Sequence, residues 1–164
     1  DSAVVVCIDI SGSMFDEGKK NRKYGCSDRI IQATLTAQAL IDTLHKSQVA
    51  TCVMTFGSSV AVMKPFNEHP LKVVNRINSV KDGGGTNDYF AVRYAHKLLL
   101  GRPEQRKIAF VITDGMGRPD YVRRQCESGK NLGITTIGIG IENDVRCANG
   151  DLSTIGHCVA SIDY

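Results

Sequence analysis

Short apolar runs alternate with amphipathic segments of helix length along this chain, a pattern that predicts an α/β protein built on a mainly parallel sheet. The first run, Ala3-Val4-Val5-Val6-Cys7-Ile8, is apolar at every position, as expected of a strand covered by helices on both faces. Ile30, Ala33, Ala37, Leu40, Ile41 and Leu44 then keep a 3.6-residue period. They predict a helix from Asp28 to about Lys46, with Ser27 as its N-cap. Val49 to Phe56 and Val60 to Phe66 flank Gly57-Ser58-Ser59 and read as a hairpin that supplies one antiparallel edge strand.

Further along, Pro70 to Val80 reads as a short helix and Asp82-Gly83-Gly84-Gly85 as a loop. Thr86 or Asn87 caps a helix carrying Ala91, Tyr94, Ala95, Leu98 and Leu99 on one face. A strand from Ile108 to Thr113 follows, then a helix opened by Pro119 and ending near Gly133. The strand Ile134 to Ile141, a short helix near Asp151 to Ile155 and a last strand from Cys158 to Ile162 complete the order. The 164 residues suit one domain, 1–164, around one core.

Composition narrows the function. A net charge of +3 is too slight to imply nucleic-acid binding. No apolar run approaches the roughly 20 residues of a membrane span, so membrane insertion is not expected. The chain enters its first strand at Ala3 without an initiator Met, which reads as a trimmed or processed piece, so the lack of a signal peptide excludes no compartment. Six cysteines are present, but none form a C-x-x-C pair, so a zinc site is not expected. Cys7, Cys52 and Cys126 fall in predicted strands and a helix and read as buried thiols. Cys26, Cys147 and Cys158 have no assigned place, and a bridge among them would imply an oxidising compartment. A reducing, intracellular compartment is the favoured reading.

The chemistry gathers at two strand ends. Asp9 directly follows the run Val4 to Ile8, and Asp114 directly follows Ile108 to Thr113. Both should emerge at the carboxyl edge of a parallel sheet, where ligands bind in open α/β folds. Ser11 and Ser13 flank Gly12, which lets the backbone turn tightly and aim both hydroxyls at one spot. Gly83-Gly84-Gly85-Thr86 can bring a third hydroxyl there. Two carboxylates and three hydroxyls are hard oxygen donors, suited to Mg²⁺ or Mn²⁺. A six-coordinate ion so held keeps an open position for an acidic oxygen from outside.

Asp9-Ile10-Ser11-Gly12-Ser13, Gly85-Thr86 and Thr113-Asp114-Gly115 together resemble the metal-ion-dependent adhesion site (MIDAS) of von Willebrand factor A domains. The resemblance covers essentially the whole chain. It implies a three-layer, Rossmann-like α/β fold with a mostly parallel sheet, one antiparallel edge strand and helices on both faces. It also implies that Ser11, Ser13 and Thr86 are hydroxyl ligands, and that Asp9 and Asp114 act directly or through water. The partner would be a protein presenting Asp or Glu. The family includes extracellular adhesion domains and intracellular adaptors of chelatase-type, ATPase-coupled machines; Gly84 to Asp88, Ala91 to Ala95, Thr113-Asp114-Gly115 and Met14 look more like the intracellular or bacterial and phage branch. Two departures stand out. The segment Phe15 to Ser27 is longer than the usual link to the first helix, and the family's final helix is missing or lies past Tyr164.

Other residues carry less. Lys19, Lys20, Arg22 and Lys23 form a basic cluster that reads as a solvated loop, or as a border of the metal site that steers an acidic partner. His45, His69, His96 and His157 are scattered and read as surface or partly buried residues. Neither Ser11 nor Ser13 sits in a G-x-S-x-G elbow with a paired base, so an enzyme is not expected. Two alternatives stay open: a metal-assisted hydrolase of phosphoryl groups, and a structural domain whose metal only ties loops together.

Overall fold

The computed structural model describes residues 1–15, 29–114, 118–141 and 158–159. Its central strand, β1 (Ser2–Asp9), is buried at every position from Ala3 to Asp9. Around it stand β2 (Ala50–Phe56), β3 (Val60–Lys64), β4 (Arg106–Thr113), β5 (Ile134–Gly140) and β6 (Cys158–Val159). The helices are α1 (Gly12–Phe15), α2 (Arg29–Lys46), α3 (Leu71–Asn78), α4 (Asp88–Leu100) and α5 (Pro119–Asn131). The sheet runs β3-β2-β1-β4-β5-β6. Among the described residues only the β2–β3 pair is antiparallel; the other four are parallel.

The period-2 geometry of β1 divides the interior in two. Ala3, Val5 and Cys7 pack with Ala91, Val92, Ala95 and Leu99 of α4 and with Val122 and Cys126 of α5. Val4, Val6 and Ile8 point the other way, onto Ile30, Ala33, Ala37 and Ile41 of α2 and Val73 and Ile77 of α3. Successive strand side chains face opposite sides, so a run apolar at every position feeds both layers. Each fully buried Val or Ile contributes about 1.5–3 kcal/mol. Cys7, Cys52 and Cys126 are free and buried. No described helix is long and apolar enough to cross a membrane.

The expected α/β architecture, with its single antiparallel edge strand, is the one found. Boundaries differ where local chemistry intervenes. β3 stops at Lys64 rather than Phe66, because Pro65 has no N–H for the ladder. Between Val53 and Met54 the register shifts, so that Met63 of β3 is the extra residue of a bulge. The buried Lys64 ammonium donates to the Thr51 and Pro65 carbonyls, and Arg76 donates to the Met63 carbonyl. Asn87 holds the N-cap position of α4 without capping it; its side-chain amide donates to the Ser58 carbonyl instead. Ser27, the helix expected near Asp151 and the end of the last strand at Ile162 lie outside the described residues.

One feature of the topology positions the site. From β1 the chain moves outward to β2 and β3, then crosses back to place β4 on the other flank of β1. The crevice at such a reversal, beyond the carboxyl ends of the strands, is where doubly wound sheets bind ligands. Asp9 ends β1, and Asp114 follows directly on β4.

Candidate functional site

Asp9 is fully buried, and its two oxygens accept different donors. The Ser11 backbone N–H donates to Oδ1 at 2.8 Å, and the Thr113 hydroxyl donates to Oδ2 at 2.6 Å. The parallel pairing of Ile8 with Ile112 sets Thr113 level with Asp9. Burial pushes the Asp9 carboxyl above the ordinary aspartate range; the bonds from Ser11 and Thr113 pull against this, and the nearby Asp114 charge adds to it. A carboxylate so placed gains from a nearby cation.

The short α1 turn sets the hydroxyls. Ser11 is buried, and its Oγ lies 3.2 Å from that of Ser13. The Met14 N–H donates to the Ser11 carbonyl, while the buried Met14 side chain anchors the turn in the α2 layer. Asp114 approaches from β4 with its side chain 3% exposed. Arg29, the first residue of α2, uses one Nη1 to donate to Asp114 Oδ2 and to the Ser13 carbonyl, both at 3.1 Å. Asp9, Ser11, Ser13 and Asp114 therefore share one crevice.

Three loops are fastened together there by their backbones. Gly12 N–H donates to the Gly84 carbonyl, Gly83 N–H to that of Ile10, and Ser58 N–H to that of Gly83, at 2.7–2.8 Å. Ser58 Oγ accepts from Gly85 N–H at 2.8 Å. Such close approach requires glycine. A Cβ on Gly57 would stand 2.5 Å from the Gly83 carbonyl oxygen, and one on Gly83 would stand 2.9 Å from the Ile10 side chain. Gly84 has φ +81°, a conformation glycine adopts freely. Thr86 is half-buried at the end of this third loop, and Asn87 N–H ties it to the Gly57 carbonyl at 3.0 Å.

Two charged residues of the site carried no signal in the sequence pattern. Arg29 reads as the polar start of a helix. Asp82 reads as a loop residue, yet its Oδ1 accepts from Gly84 N–H at 2.7 Å. Its carboxylate lies 3.6–3.7 Å from the position of a Cβ on Gly12, at the rim of the same crevice. Lys19, Lys20, Arg22 and Lys23 lie outside the described residues. Of the histidines, His45 and His69 are exposed and meet edge to face with ring centroids 5.0 Å apart. His96 is more deeply placed than expected: buried between α4 and β5, it shares a 2.8 Å hydrogen bond with Thr136.

Among the described residues no three His, Cys, Asp or Glu side chains cluster as a metal site. The donors at the crevice are instead two carboxylates with serine hydroxyls, a hard-oxygen set that fits Mg²⁺ or Mn²⁺.

Comparison with known proteins bears on both fold and family. An aerotolerance-related membrane protein from Bacteroides fragilis superposes with a TM-score of 0.77 at 16% identity, over 99% of this chain and 92% of that one. The vWF domain of the type V pili tip protein Mfa5 from Porphyromonas gingivalis gives 0.78 at 12% identity, over 98% and 89%. Proximal thread matrix protein 1 from the mussel byssus, with a zinc-occupied MIDAS motif, gives 0.72 at 19% identity, over 98% of this chain and 43% of that one. No curated protein matches the chain. The family model of the von Willebrand factor type A domain matches residues 4–116, a stretch that includes the β1 and β4 strand ends and the glycine loop between them. The chain therefore belongs to the von Willebrand factor type A domain family.

Proposed function

We propose that the chain is a metal-dependent protein-binding module rather than an enzyme, in which Asp9, Ser11, Ser13, Thr86 and Asp114 hold one Mg²⁺ or Mn²⁺ ion that takes an Asp or Glu from a partner protein. The observation that carries this reading is the convergence of Asp9, Ser11, Ser13 and Asp114 at the topological switch point between β1 and β4. When bound, the ion supplies a Lewis-acid position for a carboxylate oxygen. The chain's own residues do the rest. Thr113 and the Ser11 N–H orient the Asp9 carboxylate, the α1 turn presents the two serines, and the bond from Gly12 N–H to the Gly84 carbonyl ties the loop that carries Thr86 to that turn. The mussel matrix protein supports the reading, since its MIDAS motif carries zinc. Hard oxygen donors favour Mg²⁺ or Mn²⁺ here.

Calorimetry on the chelator-treated chain should detect one Mn²⁺ per chain at millimolar supply. Asp9→Asn, and Ser11→Ala combined with Ser13→Ala, should each lose it. Acetate, as a stand-in for the partner's carboxylate, should tighten Mn²⁺ uptake by the linkage between two ligands of one site. Equal Mn²⁺ binding by the wild type and both variants would overturn the ligand assignment. Uptake indifferent to acetate would overturn the open position.

A further inference from the structure

The metal reading gives no role to the cation already in the crevice. Arg29 stands at the start of α2, and a single nitrogen, Nη1, donates to Asp114 Oδ2 and to the Ser13 carbonyl at 3.1 Å each. It thereby links β4 to the α1 turn, the two elements that supply Asp114 and the serines. Asp114 has a nearly buried side chain, and that of Arg29 is 30% exposed. The pair therefore sits at the mouth of the crevice, in a medium where charges interact more strongly than in bulk water. Arginine remains protonated under all ordinary conditions, so the positive charge is permanent.

We propose that Arg29 is a resident countercharge of this site: it neutralises Asp114 and braces the α1 turn in the metal-free chain, and its charge weakens uptake of a divalent cation. The inference rests on the metal reading above, and it makes Arg29 a positioning residue that acts through Asp114. The charge arithmetic gives the direction. With Asp82 at the rim, Asp9, Asp114, Asp82 and Arg29 together carry −2, whereas the three carboxylates alone carry −3. Removing the guanidinium leaves a more negative site for a doubly charged ion and takes away a repelling neighbour. It also leaves Asp114 without one of its charge partners in the metal-free state. Affinity for the ion and stability of the metal-free chain should therefore move in opposite directions, an outcome a purely structural brace would not produce.

The test compares wild type, Arg29→Gln, Arg29→Met and Arg29→Lys by Mn²⁺ calorimetry and by thermal melting with and without Mn²⁺. The two neutral variants should bind Mn²⁺ at least about tenfold more tightly, the bulk-water floor for a unit-to-double charge interaction about 6 Å apart. They should melt below wild type without metal and recover more when it is added. Arg29→Lys, which keeps the charge, should stay close to wild type in affinity. Raising the salt concentration should narrow the gap between neutral and charged variants. If wild type takes up Mn²⁺ and the folded neutral variants bind it no better, the countercharge inference is wrong while the metal reading survives. If wild type and all three variants fail to bind at millimolar Mn²⁺, the metal reading itself falls. Should one neutral variant fail to fold, the other supplies the comparison. Should both fail, loss of Mn²⁺ affinity in folded Arg29→Lys would overturn the inference, and retained affinity would uphold it.

Discussion

Phe56 and Gly57 are adjacent in sequence and belong to regions held together by opposite means. Phe56 ends β2 fully buried, in the apolar layer shared with α4. Gly57 opens the loop cluster above the sheet, where its carbonyl accepts from Asn87 N–H and its α-carbon faces the Gly83 carbonyl. The interior is stabilised by side-chain volume removed from water. The loop cluster is stabilised by main-chain hydrogen bonds that exist only because side chains are missing. Stability and site geometry are therefore separable, and substitutions can address one without the other.

The largest expected effect lies on the core side. Phe56→Ala should lower stability by about 3–5 kcal/mol, seen as a lower urea midpoint, while the protein that remains folded still takes up Mn²⁺ at one per chain. Unchanged stability would mean that Phe56 is not part of the packing that holds β2. Next comes the pH dependence of the same layer. Burial keeps His96 neutral down to about pH 4, whereas an unfolded imidazole gains its proton near pH 6.5. The unfolded chain thus binds more protons in that window, and stability should fall as pH drops from about 6.5 to 4, by about 3 kcal/mol in all. Denaturation at several pH values would show the slope, and His96→Asn should flatten it. The smallest expected change in stability is in the loops. Gly57→Ala forces a Cβ against backbone and should cost about 1–3 kcal/mol, yet it should weaken Mn²⁺ uptake more than Phe56→Ala does. The reverse ranking in calorimetry would break the division between the two regions.

Much of this was legible in the amino-acid order because burial writes itself as periodicity. The unbroken run Val4 to Ile8 announced a strand covered on both faces, and the polar residue ending it, Asp9, marked the sheet's carboxyl edge. Asp114 followed by the same logic. Neighbours that meet only through the fold were not legible. Arg29 and Asp114 are 85 positions apart, and no local pattern tells a bridging arginine from a solvated one. Gly57-Ser58-Ser59 reads as a hairpin turn, which it is, but nothing nearby shows that Gly83 comes to rest against it. Asn87 matches a cap by residue type; Ser58, 29 positions away, claims its side chain. His96 shares its helix face with Leu99 and Val92, both fully buried, so its depth was the one miss a closer reading of helical spacing would have caught.

The far side of the sheet has its own consequence. Among the described residues β3 is the outermost strand on that side, and bare strand edges recruit other chains into extended aggregates. Here the edge is five residues long, kinked by a bulge, ended by proline, and has carbonyls taken by Arg76 and Lys64. Such an edge offers a poor template for a passing strand. Addition of another chain along β3 is therefore disfavoured.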